Sequence, residues 1–353
     1  MNVWLYNAIM LAIVVGALSL VRQQPAWRTA LSATIFGGAG MVVCSLVLSH
    51  GGFGALALLS YGIFLHGTLF LAGTAVLVAK ASKRLSAAAV LGCLSFIAVA
   101  VDAFLIEPTW LEVTRHTIRS PKLERPLKIV VLADLQTDVI GEFERRVFEQ
   151  IRAEQPDMIL CAGDYLQTGQ GREHERELSE QLNRLLAELP FAAPLGVYLV
   201  EGNVDSNRWT DSFDGLPVTL FRQTRSLDLP RDDLRLTGLS MNDSFSDRVE
   251  VAASDRFHIC LGHCPNFALG PVAADLMVAG HVHGGQVRLP LVGPLMTLCR
   301  VPRRWAVGLS RLDEGRRLLV SRGVGMERNE APRIRFLCRP ELVVLDLLPE
   351  SSD

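Results

Sequence analysis

Gly280-His281-Val282-His283-Gly284-Gly285 follows directly on the apolar run Leu276-Met277-Val278-Ala279. An apolar run that ends in His-x-His reads as a strand whose imidazoles emerge where the chain enters a loop. Side chains two apart on an extended segment point the same way, so both rings are expected to reach one site. The flanking glycines let the backbone crowd that site and take positive φ. A metal-binding loop needs both properties. The plainer alternative is a pair of solvated loop histidines, and the rest of the chain decides between the two.

The same layout recurs upstream. Predicted strands at 128–133, 158–162, 197–200, 257–261 and 275–279 each run into a polar tip. The tips are Asp134-Leu135-Gln136, Gly163-Asp164, Gly202-Asn203-Val204-Asp205, Gly262-His263 and the opening stretch. Layered α/β folds gather ligands at the carboxyl ends of their strands. One Gly-Asp or Gly-Asn is ordinary turn chemistry; five such tips in chain order are a constellation. Phe143, Val147, Phe148 and Ile151 form a helical stripe, and residues 173–189 read as a second helix with Leu178, Leu182, Leu185 and Leu189 on one side. Further strands are predicted at 218–222, 234–239, 286–289, 317–321 and 342–347.

The 353 residues allow about two domains. Mean hydropathy is +0.27, and the excess lies in the first third. Four apolar runs, at 3–21, 30–48, 55–78 and 85–106, each approach the ~20 residues of a bilayer-spanning helix. The expected organisation is a transmembrane region of four helices at 1–106, a connection at 107–126 punctuated by Pro108, Pro121 and Pro126, and a large C-terminal domain at 127–349. A strand within the connection, at 111–118, is also expected. Gly37, Gly38 and Gly40 suit close helix packing in lipid. His66, inside the third run, reads as a polar contact between helices. Arg22 and Arg28, and Lys80, Lys83 and Arg84, make two basic loops. The loop around His50 has no Lys or Arg. The positive-inside rule then favours the extracytoplasmic side for the C-terminal domain, although Arg115, Arg119, Lys122 and Arg125 pull the other way. A net charge of −2, with no basic stripe, gives no sign of nucleic-acid binding. Seven cysteines without a C-x-x-C pair argue against a zinc ribbon or a disulfide framework.

The ordered set of five tips resembles the calcineurin-like metallophosphoesterases, whose signature is D-x-H, G-D, G-N-H-[D/E], G-H and G-H-x-H. The resemblance covers about residues 127–348. Gly284-Gly285-Gln286-Val287-Arg288-Leu289-Pro290, Ser321-Arg322-Gly323 and Arg335-Phe336-Leu337 are similar to the membrane-attached bacterial subgroup. The implied fold is a four-layer αββα sandwich behind the membrane helices. The implied cofactors are two divalent cations about 3.5–4 Å apart. Asp134, Gln136 and His283 would hold the first, Asn203, His263 and His281 the second, and Asp164 would bridge them. The resemblance further implies catalytic parts for Asp164, Asn203 and His263, and attack on phosphorus by a hydroxide between the metals.

Two positions depart from the pattern. Gln136 stands where the family usually has histidine. An amide oxygen is a harder donor than imidazole, which favours Mn²⁺ or Mg²⁺ over Zn²⁺, though Fe and Zn²⁺ stay open; Asp138 is an alternative ligand. Val204 stands where a histidine often serves as acid, so a leaving group that needs no proton, such as a phosphate, is favoured. Asp205 is placed to orient neighbouring ligands. Asn203 and Arg208 are candidates for contact with substrate phosphate, with a solvated arginine as the alternative for 208. His116, His174, His258 and Cys264 match no motif. The apolar stretch 289–296, with Arg300, Arg303 and Arg304, reads either as a lipid-facing lip or as a buried hairpin.

The expected function is therefore hydrolysis of a phosphodiester or pyrophosphate bond in a lipid-linked substrate at the bilayer. Related membrane-attached enzymes include UDP-diacylglucosamine pyrophosphohydrolases, a reaction that needs a cytoplasmic site. The alternative is a catalytically weakened metal-binding membrane module.

Overall fold

A computed structural model describes residues 2–350 apart from 26, 50, 295 and 314. His50, of the uncharged loop, and Leu295, of the apolar stretch, therefore lie outside the described residues. Two compact units result: Met1–Ile106 with Asn329–Arg333, and Glu107–Arg328 with Ile334–Asp353.

The first unit is helical throughout its apolar runs, because only internally bonded backbone is stable in lipid. It comprises α1 (Val3–Gln23), α2 (Trp27–Leu48), α3 (Gly52–Tyr61), α4 (Thr68–Val78) and α5 (Lys83–Val101). A π-helical turn, Gly62–Gly67, joins α3 to α4 into one rod. Four rods, Val3–Gln23, Trp27–Leu48, Gly52–Val78 and Lys83–Thr109, are long and apolar enough to cross a membrane. The closest helix contacts do not fall at Gly37 and Gly38. They fall at Gly62, where a Cβ would come within 2.2 Å of Met41 Sδ, and at Gly73, where it would meet Leu18 at 2.6 Å. Gly40 is near Ile13 at 3.3 Å. His66 Nε2 lies 2.8 Å from Asn7 Oδ1, the polar helix–helix contact expected of it.

The second unit alternates strands and helices. In chain order these are β1 (Glu112–Ser120), β2 (Leu127–Leu132), α6 (Glu142–Ala153), β3 (Met158–Cys161), α7 (Arg172–Glu188), β4 (Val197–Val200), β5 (Thr219–Phe221), β6 (Arg225–Asp228), β7 (Leu234–Gly238), α8 (Met241–Phe245), β8 (Phe257–Leu261), β9 (Leu276–Ala279), β10 (Arg288–Leu289), β11 (Gly293–Pro294), β12 (Gly308–Arg311), β13 (Arg317–Val320) and β14 (Glu341–Pro349). They build two six-stranded sheets, ordered β1-β14-β2-β3-β4-β5 and β12-β13-β9-β8-β7-β6, and a small β10-β11 hairpin. Residues 107–126, read from the sequence as a connection, hold a full strand of the first sheet: β1 pairs with β14 along nine residues.

Period-two alternation sorts each strand between two cores. Ile129, Val131 and Ala133 meet Ile259, Leu276 and Val278 between the sheets. Val130 and Leu132, on the opposite face, pack against Val147 and Ile151 of α6 and Leu182 and Leu186 of α7. Each such valine, leucine or isoleucine contributes roughly 1.5–3 kcal/mol when fully buried. The outer face of the second sheet packs against loops and two 3₁₀ turns, Pro265–Leu269 and Arg303–Trp305. The four layers expected are present, and the fourth is thin.

Within the first sheet β2, β3 and β4 run parallel, and within the second β8 runs parallel to β9. Their carboxyl ends therefore emerge together in each sheet. This register, rather than any single loop, assembles the site.

Candidate metal centre

Five of the side chains at these strand tips fall into two donor groups. Asp164, His263 and His281 form one; Asp134, Asp164 and His283 form the other. Within each group the donor atoms lie within 4.8 Å of one another, and Asp164 belongs to both. Asn203 joins the first group, with Oδ1 2.9 Å from His263 Nε2. Gln136 is fully buried, and its Oε1 has no hydrogen-bond partner among the described residues.

The backbone at these tips is bent. Asp134 (φ 48°), Gln136 (35°), Asp164 (57°), His281 (69°) and His283 (50°) all sit in the left-handed region. L-residues other than Asn and Asp adopt it at a cost of order 1 kcal/mol or more each, and such strain gathers at functional sites. The surroundings enforce it. The Asp205 carboxylate accepts the N–H groups of Asp164 (2.9 Å), Tyr165 (2.7 Å) and Gly202 (2.8 Å). In return the Asp164 carboxylate accepts the Val204 N–H at 2.9 Å. The His281 N–H donates to Asp134 at 2.8 Å. Gly202 is small of necessity: a Cβ there would fall 2.1 Å from Asp164 Oδ1 and 2.3 Å from its backbone nitrogen.

Electrostatics show what the cluster lacks. His263 Nδ1 sits 2.7 Å from the Ala162 carbonyl and donates its proton there, which leaves Nε2 facing Asn203 Oδ1 and Asp164 Oδ2, the latter at 3.3 Å. Lone pairs converging in a buried space call for a positive charge between them. Burial alone would depress the His263 imidazolium. The charge of Asp164 and its hydrogen bond outweigh burial and carry it up to about 9, so without metal a proton fills that need. Burial likewise pushes Asp134 up to about 7. Burial would also raise Asp164, but the charge and hydrogen bond of His263 prevail and hold it below its usual range. Burial, then the His263 charge, depresses His281 to about 4; burial, then Arg335, depresses His283 to about 3. Both rings are neutral at pH 7, as metal donors must be. His283 Nδ1, like Gln136 Oε1, is buried without a partner among the described residues. The donor set fits two divalent cations that share one carboxylate.

Residues 127–285 match the calcineurin-like phosphoesterase family. Over those residues the chain is similar to a calcineurin-like phosphoesterase domain. It is 29% identical over 263 residues to the uncharacterized metallophosphoesterase YkuE of Bacillus subtilis, covering 69% of this chain and 87% of that protein. It is equally 29% identical over 257 residues to the phosphodiesterase YaeI of Escherichia coli, covering 69% and 90%. A metallophosphoesterase of Campylobacter jejuni, Cj0846, is 26% identical over 251 residues, covering 67% and 63%.

Within the matched stretch the two histidines, His281 and His283, behave differently from an extended pair. Both residues have positive φ, and a 3₁₀ turn at His283–Gly285 follows. The turn sends His281 to one donor group and His283 to the other. Asp138 is not among either group; it pairs with Arg328 at 3.6 Å. Arg208 is exposed and bound to Asp211, Nε donating at 2.8 Å. It lines a cavity of about 400 Å³ shared with Asp205, Arg172 and Arg176. His258 is buried on β8 against Thr237, a packed residue.

Sequence reading missed three contributors and gave a fourth, Arg335, no part in the site. Gln167, Glu327 and Arg328 surround Gln136. Arg335 is fully buried, yet its guanidinium donates to main-chain carbonyls of Arg322 (2.9 Å), Gly323 (3.0 Å), Gly325 (3.1 Å) and Cys338 (2.8 Å). It thereby pins the segment whose Gly325 N–H donates to the Asp134 carbonyl at 2.6 Å. No spacing rule connects these residues to the site.

Gly202→Ala must displace Asp164 and is expected to weaken Mn²⁺ uptake by roughly tenfold or more. Equilibrium dialysis of the metal-stripped protein measures this; unchanged uptake would show that the close approach is immaterial.

Proposed function

We propose that the chain is a membrane-anchored di-metal phosphohydrolase that cleaves a phosphodiester or pyrophosphate bond in a lipid-linked substrate. One observation carries this reading: Asp164 belongs to both donor groups. Asp134, Gln136, His283 and Asp164 would hold one cation; Asp164, Asn203, His263 and His281 would hold the other. Two cations there, with Mn²⁺ favoured by the oxygen donors, supply Lewis acidity toward the phosphate oxygens and toward the attacking water.

The chain's own residues do the rest. Asp164, anchored by Val204 N–H, keeps the two positions in register. The Ala162 carbonyl fixes the His263 ring so that Nε2 faces the site. Phe245 lies edge-on to His281 at 4.9 Å and closes an apolar wall over that ring. Asn203 is the exposed member, which supports it as the contact to a substrate phosphate. Val204 can neither give nor take a proton. The arrangement therefore suits a leaving group that departs as a stable anion, as a phosphate does.

Lipid preference rests on the β10-β11 hairpin that follows the metal loop. Leu289, Leu291 and Val292 are exposed on it, as are Met296 and Leu298 beyond it. The Leu298 carbonyl is 3.3 Å from His281 Nε2, so this apolar surface borders the donors. The same chain has four helices fit to cross a bilayer. Exposed apolar patches of this kind mark interaction sites. Loop charge favours the extracytoplasmic side for this domain.

Purified protein with Mn²⁺ is expected to hydrolyse bis-p-nitrophenyl phosphate, and Asp164→Asn to lower the rate by roughly 100-fold or more. No turnover on diester or anhydride with any divalent metal would support the non-catalytic module instead. Replacing Leu291 and Met296 with serine should impair a lipid-linked substrate more than the soluble diester; equal losses would remove the lipid assignment. An alkaline phosphatase fused to the C-terminus should be active, and an inactive fusion would place the site in the cytoplasm.

A further inference from the structure

Gln136 is an amide at a position where only one of its two ends can serve a cation. We propose that Glu327 and Gln167 clamp that amide with its oxygen toward the donors. The clamp makes the position built by Asp134, Asp164 and His283 selective for an oxygen-preferring cation. The inference rests on the di-metal reading above and adds two positioning residues to it.

The network is closed. Gln136 Nε2 donates to Gln167 Oε1 at 2.9 Å and to Glu327 Oε2 at 3.0 Å. Gln167 Nε2 donates to the other oxygen, Glu327 Oε1, at 2.6 Å. Gln167 Oε1 also accepts the Arg328 N–H at 2.7 Å, and the Glu327 N–H donates to Gln286 Oε1 at 2.6 Å. The main chain of Gln136 is tied as well: its N–H donates to the Asp164 carbonyl at 2.9 Å, and its carbonyl accepts Arg328 Nε at 2.9 Å.

A carboxylate only accepts hydrogen bonds, whereas the two ends of an amide have nearly the same shape. Packing therefore cannot choose the Gln136 orientation; Glu327 can. It draws the NH₂ ends of both Gln136 and Gln167 to itself. Gln136 Oε1 is left at the far end of the amide, buried and without a partner among the described residues. With the opposite orientation an NH₂ would point at a cation and repel it.

The consequence is an asymmetry. One position has three oxygen donors, from Asp134, Asp164 and Gln136, and one imidazole, from His283. The other has two oxygen donors, from Asp164 and Asn203, and two imidazoles, from His263 and His281. Oxygen-rich sets suit Mn²⁺ and Mg²⁺, while imidazole-rich sets also suit Zn²⁺. The two positions are expected to differ in both affinity and metal preference.

The test uses the full-length chain in detergent, stripped of metal and titrated with Mn²⁺ by calorimetry and by metal analysis after dialysis. The wild type should take up two ions. Glu327→Gln should weaken one of them by roughly 10–100-fold, as loss of a ligand's support does, and leave the other and the metal-free melting temperature unchanged. The exchanged pair, Gln136→Glu with Glu327→Gln, should restore binding, because either carboxylate oxygen at 136 can serve. Gln136→His should shift Mn²⁺/Zn²⁺ competition at that position toward Zn²⁺. Two ions bound equally tightly by wild type and Glu327→Gln would overturn the clamp and leave the di-metal reading standing. Equal weakening of both ions with a lower melting temperature would also overturn it, as a merely structural effect. A wild type that takes up no Mn²⁺ would sink the di-metal reading and the clamp together.

Discussion

Asp164 is the carboxylate around which the rest of the domain is arranged. It is almost wholly buried, and a buried charge must be paired and hydrogen-bonded to be tolerated. Its partners come from four other strand tips, and each of those is fixed in turn. Asp205 holds the loop of Asp164 itself, Ala162 holds the His263 ring, and Asp134 holds the His281 backbone. Removing the positive charge that the cluster calls for would leave carboxylates facing one another. Cation uptake at such a centre would therefore be coupled to folding of this region, as in metal sites generally.

That arrangement costs conformational energy, which the scaffold absorbs. Five donors sit at positive φ, and the glycines beside them let main chains approach within distances no Cβ would allow. Arg335 plays the reverse part. A buried guanidinium normally seeks a carboxylate, yet this one is satisfied by backbone carbonyls. It stiffens the turn beside Asp134 and adds positive potential there, which helps keep the His283 ring neutral. Rigid strands beneath and a rigid turn above are what a site of fixed donor geometry requires.

Much of this was legible in the chain. Each of the five tips ends a run of apolar residues, and a hydrophobic period followed by Gly, Asp or His is a local signal that needs no tertiary knowledge. The helices α6 and α7 announced themselves through leucine, valine and phenylalanine at helical spacing. The four apolar rods were equally plain, since length and hydropathy alone set them. Weakly patterned strands were not. β6 (Arg-Ser-Leu-Asp) and β12 (Gly-Leu-Ser-Arg) are edge strands. An edge needs only one neighbour and carries little apolar alternation for a reader to find.

The sequence by itself determined which residue types stand at the strand ends, and so the chemistry open to the site; donor identity is a property of side chains. The resemblance already implied how those donors divide; the tertiary structure supplies the physical means. His281 and His283 are two residues apart, yet a left-handed turn sends them to different groups. Gln167 and Glu327 approach Gln136 from 31 and 191 residues away. Long-range hydrogen bonds leave no periodic trace along a chain, because they depend on where parallel strands end in space and not on the spacing of the residues that make them.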